Sequence, residues 1–322
     1  MNQRMNKNTV NKIPVTILTG FLGSGKTTAL NHILQHAKHI RFAIIENEFG
    51  SIGIDSDLLK TDKSGIIELP NGCVCCTLND ELEQILEKLL SSGKKIDHLL
   101  VETTGIADPA TVASSFLKDY LVNRKFFLNG TVCLVDTFHV NSYFNENEQV
   151  KRQIAFADLI LLNKTDLCNK ENIDSVYRLV RKINPFADIQ TGSYAGLDAE
   201  MILHLNAYRS KNFFIHTIPV EHNHSGIQSE SFIFDKPLDM LKINQWVSLE
   251  LLHREQSIYR IKGILHIQHQ KHKVILQSVK RQVVFDFAAK WKWREKKQSR
   301  LVVIGKNLDR KALQLSLNDC LA

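Results

Sequence analysis

The run Gly20, Phe21, Leu22, Gly23, Ser24, Gly25, Lys26, Thr27 constrains the fold of this chain more than any other feature. It matches G-x-x-x-x-G-K-[ST] at every fixed position. At ordinary residue frequencies a chain of this length shows the pattern by accident roughly once in a hundred. Upstream, Ile13 to Leu18 is an apolar, β-branched stretch that reads as a buried parallel strand. Downstream, Thr28 to Leu34 has helical spacing. A strand, a glycine-rich turn and a helix aim backbone N–H groups and a helix N-terminus at phosphate oxygens. Gly20, Gly23 and Gly25 let the backbone approach an anion closely, because a Cβ would obstruct it. Lys26 is expected to neutralise the β and γ phosphates, and Thr27 to offer its hydroxyl to Mg²⁺. Ser24 and Thr28 add donors.

The base follows from a second motif. Asp158 opens an apolar run that ends in Asn163, Lys164, Thr165 and Asp166, the pattern N-K-x-D, about 140 residues beyond the P-loop. An aspartate there accepts hydrogen bonds from the ring N–H and exocyclic amine of guanine. Adenine would leave that carboxylate unpaired, which is strongly disfavoured. Lys164 would lay its stem along the base, so GTP is the expected ligand. Thr191 to Ala195 is a candidate source of backbone donors to the guanine oxygen. A third strand, Lys95 to Glu102, ends in a carboxylate and continues Thr103, Thr104, Gly105. Glu102 is placed to hold Mg²⁺ through water, and Gly105 to offer its N–H to the γ-phosphate. Asp108 and Pro109 then start a helix as N-cap and N1.

Cys73, Cys75 and Cys76 form C-x-C-C, half of the chain's 6 cysteines within four positions. The first apolar stretch runs straight into the P-loop and reads as a strand, not a signal peptide. The expected location is therefore cytoplasmic, where structural disulfides are rare. Clustered cysteines then read as metal-binding or redox-active. They precede an amphipathic helix from Asp80 to Leu90, whose N-terminus favours thiolate. Soft thiolates select Zn²⁺ or Cu(I) over Mg²⁺ or Ca²⁺. Adjacent cysteines close a disulfide poorly, so metal is preferred to redox chemistry. Cys133 lies within a strand and reads as core; Cys168 and Cys320 are isolated. Glu46 to Gly50 begins as a strand and ends in paired carboxylates and a glycine, where a nucleotide-sensing loop would sit. Glu46 or Glu48 could complete a thiolate site.

The order P-loop, E-N-E-F-G, C-x-C-C, E-x-x-G, N-K-x-D resembles the CobW-type GTPases, related to the nickel-insertion GTPases of urease and hydrogenase. The resemblance covers roughly residues 13 to 320, and C-x-C-C is its most specific part. It implies a GTPase domain and a smaller C-terminal domain. It also implies handling of Zn²⁺ or Co²⁺, and delivery of the metal to a client metalloprotein. Cys73, Cys75 and Cys76 would bind the metal, with Glu46 assisting. Ser51 stands where many members carry an acid, and only His222 and His224 remain of a longer histidine run. A single transferred ion is therefore expected, rather than storage. Rival readings are a cobalt-pathway GTPase and a metal or redox sensor that holds GTP as a structural ligand.

The expected architecture is α/β. Residues 1–12 are a disordered N-terminus, and residues 13–215 a P-loop GTPase domain with a mostly parallel sheet and flanking helices. Residues 216–229 form a linker and 230–322 a small α+β domain. No apolar run approaches membrane-spanning length. Residues 212–322 hold 18 Lys/Arg against 10 Asp/Glu, more than the whole net charge of +7. Their basic runs, such as Trp291 to Lys297, read first as solvated loop and strand edge. An acidic client protein ranks next and nucleic acid last. His266, His269 and His272 alternate faces on a strand and are not read as a metal site. A homodimer is compatible with all of this.

Overall fold

The computed structural model describes residues 12–46, 60–61, 67–70, 78–118, 120–193, 198–208, 226–254 and 257–322. In chain order the first part comprises β1 (Ile13–Gly20), α1 (Lys26–His36), β2 (Phe42–Glu46), β3 (Lys60–Thr61), β4 (Ile67–Pro70), α2 (Leu78–Ser91), β5 (His98–Glu102), α3 (Pro109–Lys118), α4 (Tyr120–Lys125), β6 (Phe126–Asp136), α5 (Val140–Tyr143), α6 (Glu148–Phe156), β7 (Leu159–Asn163), α7 (Lys170–Ile183), β8 (Asp188–Thr191) and α8 (Ala199–Leu203). The second part comprises β9 (Ile227–Phe234), α9 (Met240–His253), β10 (Ile258–Leu265), β11 (His272–Val279), β12 (Gln282–Lys290), β13 (Ser299–Lys306) and α10 (Arg310–Asn318).

Among the described residues the first part forms an eight-stranded sheet in the order β3-β4-β2-β5-β1-β6-β7-β8. Only the short edge strand β3 runs antiparallel. β1 lies in the interior, paired with β5 and β6, and its last six residues are buried. Its alternate side chains serve opposite faces. Val15 and Ile17 pack toward α2 and α3, while Leu18 packs with Leu30 and Ile33 of α1. Helices cover both faces, as a parallel sheet requires. Because the strands are parallel, their C-terminal ends gather on one edge. Register pairs Leu18 with Glu102, Glu46 with Glu102, Gly20 with Leu134, and Asp136 with Asn163. That edge is where ligands sit in open α/β sheets.

The second part is a five-stranded antiparallel sheet, β12-β11-β10-β13-β9. α9 and α10 cover one face. β9 begins at Ile227, within the expected linker 216–229. It pairs with β13 from Ile227↔Lys306 to Phe234↔Ser299, so cross-strand pairing carries Gln228 and Ser229 into the strand despite their low β-propensity. Most of the expected linker, residues 216–225, lies outside the described residues.

The other sheet face packs on the first part. On β13, Leu301 and Val303 join the cluster under α9 and α10, whereas Val302 and Ile304 pack with Val176 and Val180 of α7. On β10, Arg260 and Lys262 point the same way and meet Asp158, which immediately precedes β7, at 2.6 and 2.7 Å. All three are buried. Lys306 pairs with Glu148 and Lys280 with Asp108 across the same contact. Much of the basic excess of residues 212–322 is therefore engaged with carboxylates of the first part. Arg260 stacks on Phe156 at 4.6 Å and donates to Tyr208.

Candidate nucleotide and metal site

The phosphate cradle is built by the turn between β1 and α1. Gly20 has φ +145°, and a Cβ there would lie 2.4 Å from the Leu134 carbonyl oxygen. Gly25 is the left-handed N-cap of α1, and a Cβ there would lie 2.5 Å from Asn163 Nδ2. Both positions demand glycine. The first turn of α1 carries no acidic residue, so its free N–H groups and dipole face the cradle unopposed. Lys26 is 9% exposed, and its Nζ donates to the Phe21 carbonyl at 3.3 Å, folded over the loop itself. Burial lowers its pKa, opposed by the nearby Glu102 charge. An entering phosphate would add a second anion near this ammonium. Ser24 Oγ is buried without a partner among the described residues, and Thr28 is exposed.

Thr27 Oγ1 donates to Glu102 Oε1 at 3.1 Å. Two hard oxygen donors thus converge where α1 starts and β5 ends, a donor set that fits Mg²⁺. Beyond Glu102, Thr103 Oγ1 donates to the Leu18 carbonyl and Thr19 Oγ1, pinning the loop to β1. Gly105 is buried against the P-loop; a Cβ there would lie 2.7 Å from the Leu22 nitrogen. Asp108 caps α3 by accepting from the Ala110 N–H at 2.9 Å.

The N-K-x-D residues continue β7. Asn163 Nδ2 donates to the Ser24 carbonyl at 2.9 Å, tying this motif to the P-loop. Lys164 has φ +61°, a conformation uncommon outside glycine. Its Nζ lies 2.7 Å from Asp136 Oδ2. Asp166 is exposed in a short 3₁₀ turn, Thr165–Leu167. Thr165 donates through Oγ1 and N–H to the Gly192 carbonyl, which brings the end of β8 beside the turn. Ser193 follows Gly192, and Tyr194 and Ala195 lie outside the described residues.

Asp136 was not foreseen as a site residue. It is 4% exposed at the end of β6, beside Asn163 in register. Besides Lys164 it accepts from His139 Nδ1 and from the Phe138 and His139 N–H groups. Burial raises its pKa, but these bonds outweigh it and hold the carboxyl below its ordinary range. The available signal was a lone carboxylate at the end of an apolar strand, the same signal that identified Glu102.

Cys73, Cys75 and Cys76 lie outside the described residues, as do Glu48 and the histidines at 222 and 224. For Glu46 the backbone position is described: it ends β2, with Glu102 on one side and Pro70 of β4 on the other. The chain enters the cysteine segment from Pro70 and leaves it into α2 at Leu78. At ~4.8 Å per strand, Pro70 is about 10 Å from Glu102 across the sheet. Among the described residues no group of three or more metal-ligating side chains occurs. Cys133 is buried in β6 and its thiol is pushed up to about 12 by burial. Within the basic C-terminal run, Lys273 pairs with Glu295 and Lys296 with Asp235.

The family described as CobW/HypB/UreG, nucleotide-binding domain, matches residues 14–191, and the cobalamin synthesis protein cobW C-terminal domain matches residues 227–321. The zinc chaperone YjiA of Escherichia coli is 32% identical over 304 residues, covering 92% of this chain and 95% of the relative. The zinc chaperone CobW of Pseudomonas aeruginosa is 32% identical, covering 98% and 93%. The zinc-regulated GTPase metalloprotein activator 1 of Schizosaccharomyces pombe is 37% identical over 63% of this chain and 52% of its own length. The crystal structure of Zn(II)-bound YjiA GTPase from E. coli superposes with a TM-score of 0.81 at 29% identity, covering 97% of this chain and 100% of that one. No helix among the described residues is long and apolar enough to cross a membrane.

Proposed function

Because the chain belongs to the CobW/HypB/UreG family, we propose that it is a GTP-hydrolysing metallochaperone. It binds one transition-metal ion, Zn²⁺ first and Co²⁺ second, at Cys73, Cys75 and Cys76 with Glu46, and passes it to a client metalloprotein in the cytoplasm. Three relatives whose names state a zinc function support the choice of zinc. In this reading the N–H groups of the Gly20–Gly25 loop and Lys26 hold the β and γ phosphates, with Ser24 and Thr28 as further donors. Asn163, Lys164 and Asp166 hold guanine. Thr27 and Glu102 hold Mg²⁺, which when bound neutralises charge on the phosphates. Gly105 offers its N–H toward the γ-phosphate.

The observation that carries the proposal is the register Pro70–Glu46–Glu102 across β4, β2 and β5. The metal segment departs from the strand end next to Glu46, and Glu46 sits next to the residue assigned to magnesium. A change of charge at Glu102 therefore reaches the metal segment through one intervening strand. Ordering these loops around GTP would gather the thiolates, and hydrolysis would loosen them. Each tenfold difference in metal affinity between the two states corresponds to about 1.4 kcal/mol of coupling.

The test is zinc affinity by chelator competition in protein loaded with a GTP analogue, loaded with GDP, or free of nucleotide, at fixed Mg²⁺ and pH. A tighter site with the analogue than with GDP supports loading and release. Equal affinity in all three states removes the chaperone cycle and favours a sensor.

A further inference from the structure

α6 lies between the Glu102–Gly105 loop and the second part of the chain, and it is bonded to both. Toward the second part, Glu148 at its start accepts from Tyr259 Oη at 2.8 Å and Lys306 Nζ at 2.9 Å. Arg152 stacks on the Tyr259 ring at 4.7 Å. At the end of α6, the Phe156 carbonyl accepts from Arg260. Toward the loop, Gln153 extends its amide. Gln153 Nε2 donates to the Gly105 carbonyl at 3.0 Å and to the Ala107 carbonyl at 3.2 Å. The side chain is 1% exposed. Its Oε1 is buried with no partner among the described residues.

A buried amide oxygen without a partner is costly. The two carbonyls fix which end of the amide faces the loop, so the orphan cannot be removed by turning the amide over. One arrangement of the loop thus satisfies the donor end of Gln153 and leaves the acceptor end idle. A second arrangement, with a loop N–H turned toward α6, would use it. Close by, Lys280 in the turn between β11 and β12 donates to Asp108 at 2.6 Å, three residues after Gly105. The loop is therefore held from two sides, by α6 and by the second sheet.

We propose that Gln153 is a positioning residue for GTP hydrolysis. Its amide sets the conformation of Gly105–Ala107, and through α6 it makes that conformation depend on how the C-terminal domain is seated. The residue touches no nucleotide; it acts through Gly105. This rests on the GTPase reading above and is independent of which metal is carried.

The test compares native protein with Gln153→Met, which keeps the bulk and loses the amide, and Gln153→Glu, which loses the donors. Steady-state kcat and KM for GTP are measured, with GDP affinity and melting temperature alongside. The expected result is a kcat lowered about 10-fold or more, as for other displaced catalytic loops, with GDP affinity within about twofold of native. A purely structural role would lower GTP and GDP affinity and melting temperature together and leave kcat of the folded fraction unchanged. Lys280→Ala alters a partly exposed contact to the same loop and is expected to lower kcat in the same direction by a smaller factor. A folded Gln153 variant with native kcat overturns the proposal. If both Gln153 variants fail to fold, a native kcat in Lys280→Ala overturns it. Native protein that does not hydrolyse GTP at all would instead overturn the GTPase reading.

Discussion

Replacing Asp158 by alanine is expected to destabilise the chain far more than replacing its partner Lys262 by methionine. Asp158 Oδ1 accepts from Arg260 Nη2 and Lys262 Nζ, and Oδ2 accepts from the Thr131 N–H at 3.0 Å. One buried carboxylate therefore serves two buried cations. Alanine removes the carboxylate bonded to both cations, leaving Lys262 only the weaker pull of the Asp188 charge, and breaking a buried pair in this way costs about 3–5 kcal/mol. Lys262→Met leaves a one-to-one Asp158–Arg260 pair and relieves repulsion between the cations, so its cost is expected to lie within about 1 kcal/mol of zero. For 322 residues melting as one unit, an entropy of roughly 0.7 kcal/mol/K converts 4 kcal/mol into a melting point about 6 °C lower. Differential scanning calorimetry at pH 7 reads both values. Equal losses for Asp158→Ala and Lys262→Met would refute the argument, because it rests on Asp158 being bonded to both cations.

The pH dependence of the same cluster has a definite sign. Burial, with repulsion from Arg260, lowers the Lys262 pKa to about 8 from 10.5. The unfolded chain therefore binds more protons between these values, and the contribution of Lys262 makes stability rise with pH across that window. Lys262→Met should abolish this rise in a melting series from pH 7 to 10. At the nucleotide site, Lys26→Ala is expected to abolish productive GTP binding, and Asp166→Asn to weaken guanine selectivity with the phosphate site intact. Equilibrium binding of GTP and ITP checks both. Cys75→Ser should weaken zinc binding at least tenfold while Cys133→Ser leaves it unchanged, since Cys133 is 1% exposed inside β6; chelator competition decides. Equal losses for the two cysteines would indicate general destabilisation.

The P-loop, Glu102–Gly105 and Asn163–Asp166 were legible because their chemistry fixes both residue type and local spacing. Each also follows an apolar run that could only be a buried strand. Parallel pairing then brought the three to one sheet edge, which sequence order alone implied only through fold class. Asp136 was missed because the strand holding Cys133 was read for its core, not for the residue that ends it. Gln153 carried no signal at all: an amide on an amphipathic helix acquires a role only from what lies opposite it. The charge of residues 212–322 was read as surface. The two most buried of those cations, Arg260 and Lys262, meet a carboxylate more than a hundred residues earlier in the chain, and no local pattern records such a partner.

The two-sided burial of β13 and the contact of β10 with Asp158 bear on how such a sequence can drift over time. Val302 and Ile304 are interior residues of the first part, although they belong to a strand of the second. A neutral exchange at position 158 is available only to lineages that already carry changed residues at both 260 and 262. The two halves cannot therefore be shuffled freely among relatives. Substitutions in one will be accepted in step with the other, and a chimaera that joins halves of different ancestry should fail at this seam before it fails at the nucleotide.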